Sequence, residues 1–308
     1  MLLASTTIPR LPGLLTGAGP DEPTALEPAP VTHITQAEFA LLERLVYRES
    51  GIKLAEGKRS LVVARLRRRV ETLGMRSFRQ YCQHVEDEAS GAELVQMLDC
   101  ITTNETRFFR VGSHFELLEK QACRSWREEA RNRERAKRIR IWSAGCATGE
   151  EPYSIAMVLA SALPLALGWD VSVLATDLST RALEVARHGV WPAMRAEQIP
   201  RRFLKSYMLR GVRTQADQMA AGPEIRTLLR FLRLNLFTDV YPEGPFDAVF
   251  CRNVLIYFNR ESRQHVLERI ARLLAPGGLL FLGESENLQD PMFGLRREVP
   301  NVYSRPRR

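Results

Sequence analysis

The chain has 308 residues, 45% of them hydrophobic and 26% charged, enough apolar material for one large domain or two modest ones and unlike a disordered chain. Its net charge of +8 favours acidic partners, whether nucleic acid, a membrane surface or an acidic protein, without choosing among them. No apolar run approaches the roughly 18 residues of a membrane span, the N-terminus lacks a secretory pattern, and Cys82, Cys100, Cys123, Cys146 and Cys251 form no C-x-x-C pair, so a reduced, cytoplasmic chain without membrane insertion is expected.

Residues 1–32 scatter Pro9, Pro12, Pro20, Pro23, Pro28 and Pro30 among Gly, Ala and Thr, a composition that cannot bury a core and predicts a disordered tail. Thr35-Gln36-Ala37-Glu38 reads as a capping box with Ile34 as its hydrophobic staple, opening a helix with Phe39, Leu42 and Val46 on one face. A second helix, Arg59–Leu73, repeats Val62, Leu66, Val70 and Leu73 at helical spacing and carries Arg65, Arg68, Arg69 and Arg76 off that stripe. Shorter helices around Ser77–Val85 and Ala92–Ile101 complete a small all-helical domain over residues 33–102.

The pattern then changes. Ser113-His114-Phe115-Glu116 reads as another capping box, whose helix dissolves into the charged stretch Arg124–Arg138. A strand, Ile139–Trp142, ends in the small-residue loop Ser143–Gly149, and Pro152 suits the first turn of the next helix. A strand Val171–Thr176, a helix from about Thr180, a strand Asp247–Cys251 and a helix Glu261–Leu274 follow, the last stopped by Pro276-Gly277-Gly278 before the strand Leu279–Leu282. This alternation predicts an α/β fold with a doubly wound parallel sheet.

The loop Ser143–Gly149 brings a ligand close to the backbone and to the unpaired N–H groups of a helix N-terminus. Glu150-Glu151 stand where a dinucleotide enzyme presents a pyrophosphate; two carboxylates repel phosphate and attract an ammonium. The loop also lacks the G-x-G-x-x-G spacing. Both features favour S-adenosyl-L-methionine, a cationic nucleoside, over NAD. Asp177, at the end of the second strand, is placed to accept both ribose hydroxyls, or else to cap the following helix. Asn235-Leu236 offers a polar side chain and an apolar neighbour to an adenine. The strand ending at Cys251 delivers Arg252 and Asn253 to the crevice where open parallel sheets bind ligands, with Tyr257 just beyond. His33, His84, His114, His188 and His265 show no ligand spacing with one another or with cysteine, so no metal is expected.

Thr103-Asn104-Glu105-Thr106-Arg107-Phe108-Phe109-Arg110, Gly149-Glu150-Glu151-Pro152-Tyr153-Ser154, Ala175-Thr176-Asp177, the run Phe250–Phe258 and Leu282-Gly283-Glu284-Ser285-Glu286-Asn287 occur together and in order. In that combination the chain resembles the CheR family of chemotaxis receptor glutamate methyltransferases, over roughly residues 33–305. The resemblance implies a Rossmann-like, S-adenosylmethionine-dependent methyltransferase domain over residues 103–308, with a small antiparallel β-subdomain inserted at about 203–234. It implies methyl transfer to glutamate side chains of chemotaxis receptors for sensory adaptation, giving glutamyl methyl esters and S-adenosyl-L-homocysteine.

The resemblance also assigns residues. Asn104, Thr106 and Arg110 would close over the cofactor from the interdomain segment, and Gly145 would lie in the cofactor loop. Glu150 or Glu151 would take the methionine amino group, Asp177 the ribose, and Asn235-Leu236 with Arg252-Asn253 the rest of the nucleoside. Arg110 and Tyr257 would stand nearest the transferred methyl, Arg110 orienting the acceptor carboxylate and Tyr257 donating a hydrogen bond. Arg59, Arg65, Arg68 and Arg69 would contact the acidic flank of the receptor's cytoplasmic helical bundle. A monomer acting on a protein is expected, not on nucleic acid, because Asn253 is followed by Val254-Leu255 and not by the Pro-Pro-aromatic turn of amino-methylating nucleic-acid enzymes. The span Gly211–Leu229 lacks the paired glycines of a regular hairpin, so capture of a receptor-tail peptide there is not expected.

Overall fold

The computed structural model describes residues 33–288 and 292–307; the tail predicted for residues 1–32 lies outside them. Helix α1 (Gln36–Ser50) opens on the expected capping box: Glu38 N–H donates to Thr35 Oγ1 at 3.2 Å and the Glu38 carboxylate accepts from Thr35 N–H at 3.0 Å. It ends at Gly51, in the left-handed region at φ 71°, where a Cβ would fall 2.7 Å from the Phe237 ring. With α2 (Arg59–Thr72), α3 (Phe78–Asp87) and α4 (Ala92–Ile101) it encloses a core that includes Phe39, Leu42, Leu66, Val70, Phe78 and Met97.

Helix α5 (Gly112–Leu117) starts after Val111, with no side-chain cap, so the capping box expected at Ser113–Glu116 does not form and Ser113 lies within the helix. The helix continues through a π turn, Leu118–Ala122, into α6 (Cys123–Arg131), where the charged stretch was expected to end it. Two things hold this segment: Cys123 and Trp126 bury in the sheet core, and Arg124 pairs with Glu128 one turn on at 2.9 Å.

Strand β1 (Arg138–Ala144), helix α7 (Glu150–Ala162), strand β2 (Asp170–Asp177) and helix α8 (Thr180–His188) follow as alternating units. Next come β3 (Val190–Pro192), α9 (Arg201–Tyr207), β4 (Met208–Arg210), β5 (Gln218–Ala221), the short α10 (Pro223–Arg226) and β6 (Leu229–Arg233). Then β7 (Phe246–Cys251), α11 (Arg260–Leu273), β8 (Leu274–Leu282), β9 (Arg296–Val299) and β10 (Val302–Ser304) complete the described chain. The main sheet has the order β6-β2-β1-β7-β8-β10-β9, parallel up to β8 and antiparallel from there. The chain moves outward from β1 to β2 and β6, then returns to the other side of β1 at β7, which opens a crevice at the carboxyl ends of β1 and β7. One apolar layer includes Phe115, Tyr153, Ile155, Phe203 and Phe250; the other includes Trp142, Leu255, Val266, Leu267 and Ile270.

The inserted β-subdomain is the antiparallel sheet β3-β5-β4. It begins at Val190, earlier than the expected 203, because Trp191 anchors β3: its buried indole sits edge-on to Phe108 at 5.0 Å and to Tyr153 at 4.9 Å. Residues 229–233, expected inside the insertion, form the main sheet's edge strand β6, in parallel register with β2 from Val173↔Leu229 onward. Pro276-Gly277-Gly278 likewise lies within β8, where the pairing with β7 shifts between Phe246 and Ala248, so the helix ends before it.

Candidate active site

The carboxyl ends of β1, β2 and β7 open into a cavity of about 1310 Å³, part of it open to solvent, roofed by the helical domain and the segment that joins it to the sheet. At its floor, Gly145 and Cys146 donate their N–H groups to the Thr176 carbonyl at 2.8 and 2.9 Å, folding the loop after β1 onto β2. Gly145 has φ 86°, and a Cβ there would meet Val254 Cγ2 at 2.2 Å, so the close approach of two loops requires glycine. Asp177 lines the cavity and accepts from Ala147 N–H at 2.8 Å and Ser179 N–H at 2.9 Å, which leaves lone pairs for a ligand. It does not cap α8; Ser179 does, accepting from Ala182 N–H at 3.2 Å. Burial pushes the Asp177 carboxyl up, against the pull of those N–H groups.

The two glutamates at the start of α7 separate. Glu151 lines the cavity, accepts from Ser143 Oγ at 2.8 Å and faces Arg252 Nη1 at 3.4 Å. Glu150 does not reach the cavity: its side chain is 0% exposed, accepts from Thr148 Oγ1 at 2.6 Å and forms an ion pair with Arg195. Successive residues of a helix point about 100° apart, so only one of the pair can face the crevice. The Arg252 side chain is 1% exposed and donates through Nη2 to the Arg110 carbonyl, while its Nε and Nη1 have no hydrogen-bond partner among the described residues. Burial pulls the Arg252 guanidinium down and pushes the Glu151 carboxyl up, and their mutual attraction opposes both shifts. A buried guanidinium with orphaned donors beside a buried carboxylate fits the two ends of a zwitterion, the amino-acid portion of S-adenosylmethionine. Arg252, expected at the nucleoside with Asn253, faces Glu151 across 3.4 Å.

The roof is tied down by side chains. Arg65 donates to the carbonyls of Ile101 and Thr102 and to Thr103 Oγ1 at 2.9 Å, closing the end of α4. Asn104 Nδ2 donates to Ser179 Oγ at 3.3 Å, and Phe109 N–H to Ser154 Oγ at 3.0 Å. Asn104, Thr106 and Arg110 all line the cavity, as do Asn253 and Tyr257 on the opposite wall. Asn235 and Leu236 line it too, but the Asn235 amide is engaged, donating to the Glu49 carbonyl at 2.7 Å and accepting from Phe237 N–H at 3.0 Å. That side chain ties the helical domain to the sheet.

Glu286 is a site residue to which the motif Leu282–Asn287 had assigned no role. Its carboxylate, 1% exposed, accepts from Gly283 N–H at 2.8 Å, Asn253 N–H at 2.7 Å and Ile256 N–H at 3.1 Å. It thereby fixes the loop that carries Asn253, itself at φ 59°, and Tyr257. The arginines of α2 also divide. Arg69 turns inward onto buried Glu93 at 2.8 Å, Arg65 holds the roof, and Arg59 pairs with Glu56 at 3.2 Å beside the Phe39 ring; Arg68 is exposed. Among the described residues no His, Cys, Asp and Glu cluster could hold a metal ion, and no helix is long and apolar enough to cross a membrane.

Comparison with known proteins gives a consistent set of matches. The family described as CheR methyltransferase, SAM binding domain, matches residues 104–297, and that described as CheR methyltransferase, all-alpha domain, matches residues 37–102. Chemotaxis protein methyltransferase 2 of Pseudomonas aeruginosa is 40% identical over 273 residues, spanning 88% of this chain and 94% of that protein. The chemotaxis protein methyltransferase of Escherichia coli is 40% identical over 276 residues, 88% of this chain and 92% of that one. Its counterpart in Salmonella typhimurium is 37% identical over 276 residues, with the same coverage.

Proposed function

The chain belongs to the CheR methyltransferase family, and from that premise we propose that it esterifies glutamate side chains in the cytoplasmic domain of a chemotaxis receptor, with Arg110 and Tyr257 at the reacting atoms. It is an S-adenosylmethionine-dependent methyltransferase. The observation that carries the reading is the facing pair of Glu151 and Arg252, which line the cavity with Asn104, Thr106 and Arg110, the guanidinium keeping two nitrogens without a hydrogen bond among the described residues. When bound, S-adenosylmethionine supplies an activated methyl group on a sulfonium.

The rest falls to the residues of the chain. Glu151 and Arg252 hold the amino-acid end, and Asp177 the ribose. A glutamate acceptor, with an ordinary pKa of about 4.3, is already ionised at neutral pH, so no general base is required. What the protein must do is align the acceptor oxygen and keep water out. Arg110 meets that need from the roof and Tyr257 from the loop after β7. The cations Lys53, Lys58, Arg65, Arg107 and Arg110 line the same opening, a setting suited to an anionic acceptor on an acidic helix. On this reading the enzyme works as a monomer in the cytoplasm.

The test is transfer of labelled methyl from S-adenosylmethionine to an acidic receptor cytoplasmic fragment, read as methanol released by mild base. Base-labile label that disappears when the receptor's glutamates are replaced by alanine is the expected result. Base-stable label, or none with a competent receptor panel, would overturn glutamyl esterification.

A further inference from the structure

We propose that the root of the inserted β-subdomain, residues 191–198, is a strut that sets the cofactor loop, with Arg195 as its positioning residue; this rests on reading the cavity as the S-adenosylmethionine site. Three side chains of this short segment reach out of the subdomain. Trp191 Nε1 donates to the Thr148 carbonyl at 3.2 Å, and Gln198 Oε1 accepts from Phe108 N–H at 3.1 Å, within the segment that carries Thr106 and Arg110. Between them the Arg195 guanidinium forms an ion pair with the fully buried Glu150 carboxylate.

Glu150 is a junction. Its carboxylate takes the Thr148 hydroxyl at 2.6 Å, and its carbonyl accepts from Ser154 Oγ at 2.6 Å, the same hydroxyl that accepts from Phe109 N–H at 3.0 Å. The loop after β1, the first turn of α7 and the roof segment therefore meet at a residue that touches no part of the cavity. A carboxylate withdrawn from water is tolerated when it is paired, and loss of its partner leaves an uncompensated charge. Among the described residues, Arg195 is the cation that pairs with it. Removing Arg195 forces Glu150 to seek water or a proton, and either course shifts Thr148 on one side and Glu151 on the other. The β-subdomain thus holds the geometry of the site it does not line, and its state is coupled to cofactor affinity through Arg195.

The experiment is calorimetric titration of the full chain with S-adenosylhomocysteine, which needs no turnover. Arg195→Met should weaken binding about tenfold, and Arg195→Lys less. Adding Glu150→Gln to Arg195→Met should return affinity to within about threefold of the unmodified chain, because glutamine still accepts from Thr148 and carries no charge. A role for Arg195 through packing of its stem alone, and not through its charge, would not be repaired by neutralising Glu150. Arg195→Met binding as well as the unmodified chain, or a double variant as weak as the single one, overturns the strut. Should Arg195→Met lose its near-ultraviolet dichroism, Trp191→Phe provides the second reading: about threefold weaker binding supports the strut, and unchanged binding overturns it. An unmodified chain that fails to bind S-adenosylhomocysteine removes the site reading itself and the strut with it.

Discussion

Glu151 should make cofactor binding sensitive to acid. Burial holds its carboxyl above the ordinary range, with Arg252 opposing. A raised pKa means that the carboxylate takes up its proton earlier as pH falls, and the protonated form has no charge to offer an ammonium. S-adenosylhomocysteine affinity should therefore drop as pH falls, in a window above the range expected of an ordinary carboxylate. Asp177 is shifted the same way, whereas burial pulls His114 down to about 4, so that imidazole stays neutral across the window. Glu151→Gln should bind weakly and lose most of the pH slope; an unchanged slope would move the titration to Asp177. A second prediction concerns the acceptor side. Tyr257→Phe should lower kcat about tenfold and Arg110→Ala about a hundredfold, as expected for donors that act chiefly in the transition state. Affinity for S-adenosylhomocysteine should survive Tyr257→Phe, and single-turnover transfer beside a calorimetric titration separates the two effects.

At the scale of elements, the loop from Arg252 to Tyr257 has little regular structure, and its shape is set by one side chain on the segment after β8. Three N–H groups converge on Glu286. Glu286→Gln places an amide against donors that need an acceptor and leaves at least one unsatisfied, at a cost of about 1–3 kcal/mol. Denaturant midpoints should fall accordingly, and S-adenosylhomocysteine affinity should fall with them because Arg252 and Asn253 shift; full stability in Glu286→Gln would disprove the role. What could be read in advance follows the range of the forces. The capping box at Thr35, the parallel strands and the helices between them are written in local periodicity, and the structure matches them. Helix α6 was hidden because a run of charges reads as solvent-exposed coil unless the burial of Cys123 and Trp126 is known. The three-residue strands β3 and β4 are too short to carry a period, which is why the insertion's start was misplaced. In the site, residue types were legible and their partners were not. Asn235 is held by the carbonyl of Glu49, 186 positions away, and only the folded chain tells which of Glu150 and Glu151 faces the cavity.

For the whole molecule, the helical and sheet domains form one compact unit. Asp99 Oδ1 accepts from Thr180 N–H, in the first turn of α8, at 2.7 Å, Asn259 Nδ2 donates to Tyr47 Oη at 2.9 Å, and Lys53 N–H donates to the Tyr257 carbonyl at 2.9 Å. Basic side chains of the helical domain are thereby fixed beside the cavity mouth, on a chain of net charge +8. An acidic receptor approaching that mouth meets an exposed field that salt screens, since the Debye length is about 10 Å at 0.1 M. On the proposed reading the cofactor meets a buried pair, Glu151 and Arg252, that salt barely reaches. The KM for a receptor fragment should therefore rise as salt increases from about 0.05 M to about 0.3 M, while S-adenosylhomocysteine affinity changes little. The α2 arginines provide a sharper version. Arg68 is exposed, so Arg68→Glu should raise the receptor KM and weaken its salt dependence at unchanged Tm. Arg69 is bound to Glu93, which also accepts from Tyr81 Oη at 2.8 Å, so Arg69→Glu buries like charges together and should lower Tm. Steady-state kinetics and thermal melts of the two variants decide the matter. Equal KM effects with no loss of stability in Arg69→Glu would mean that both arginines face the receptor.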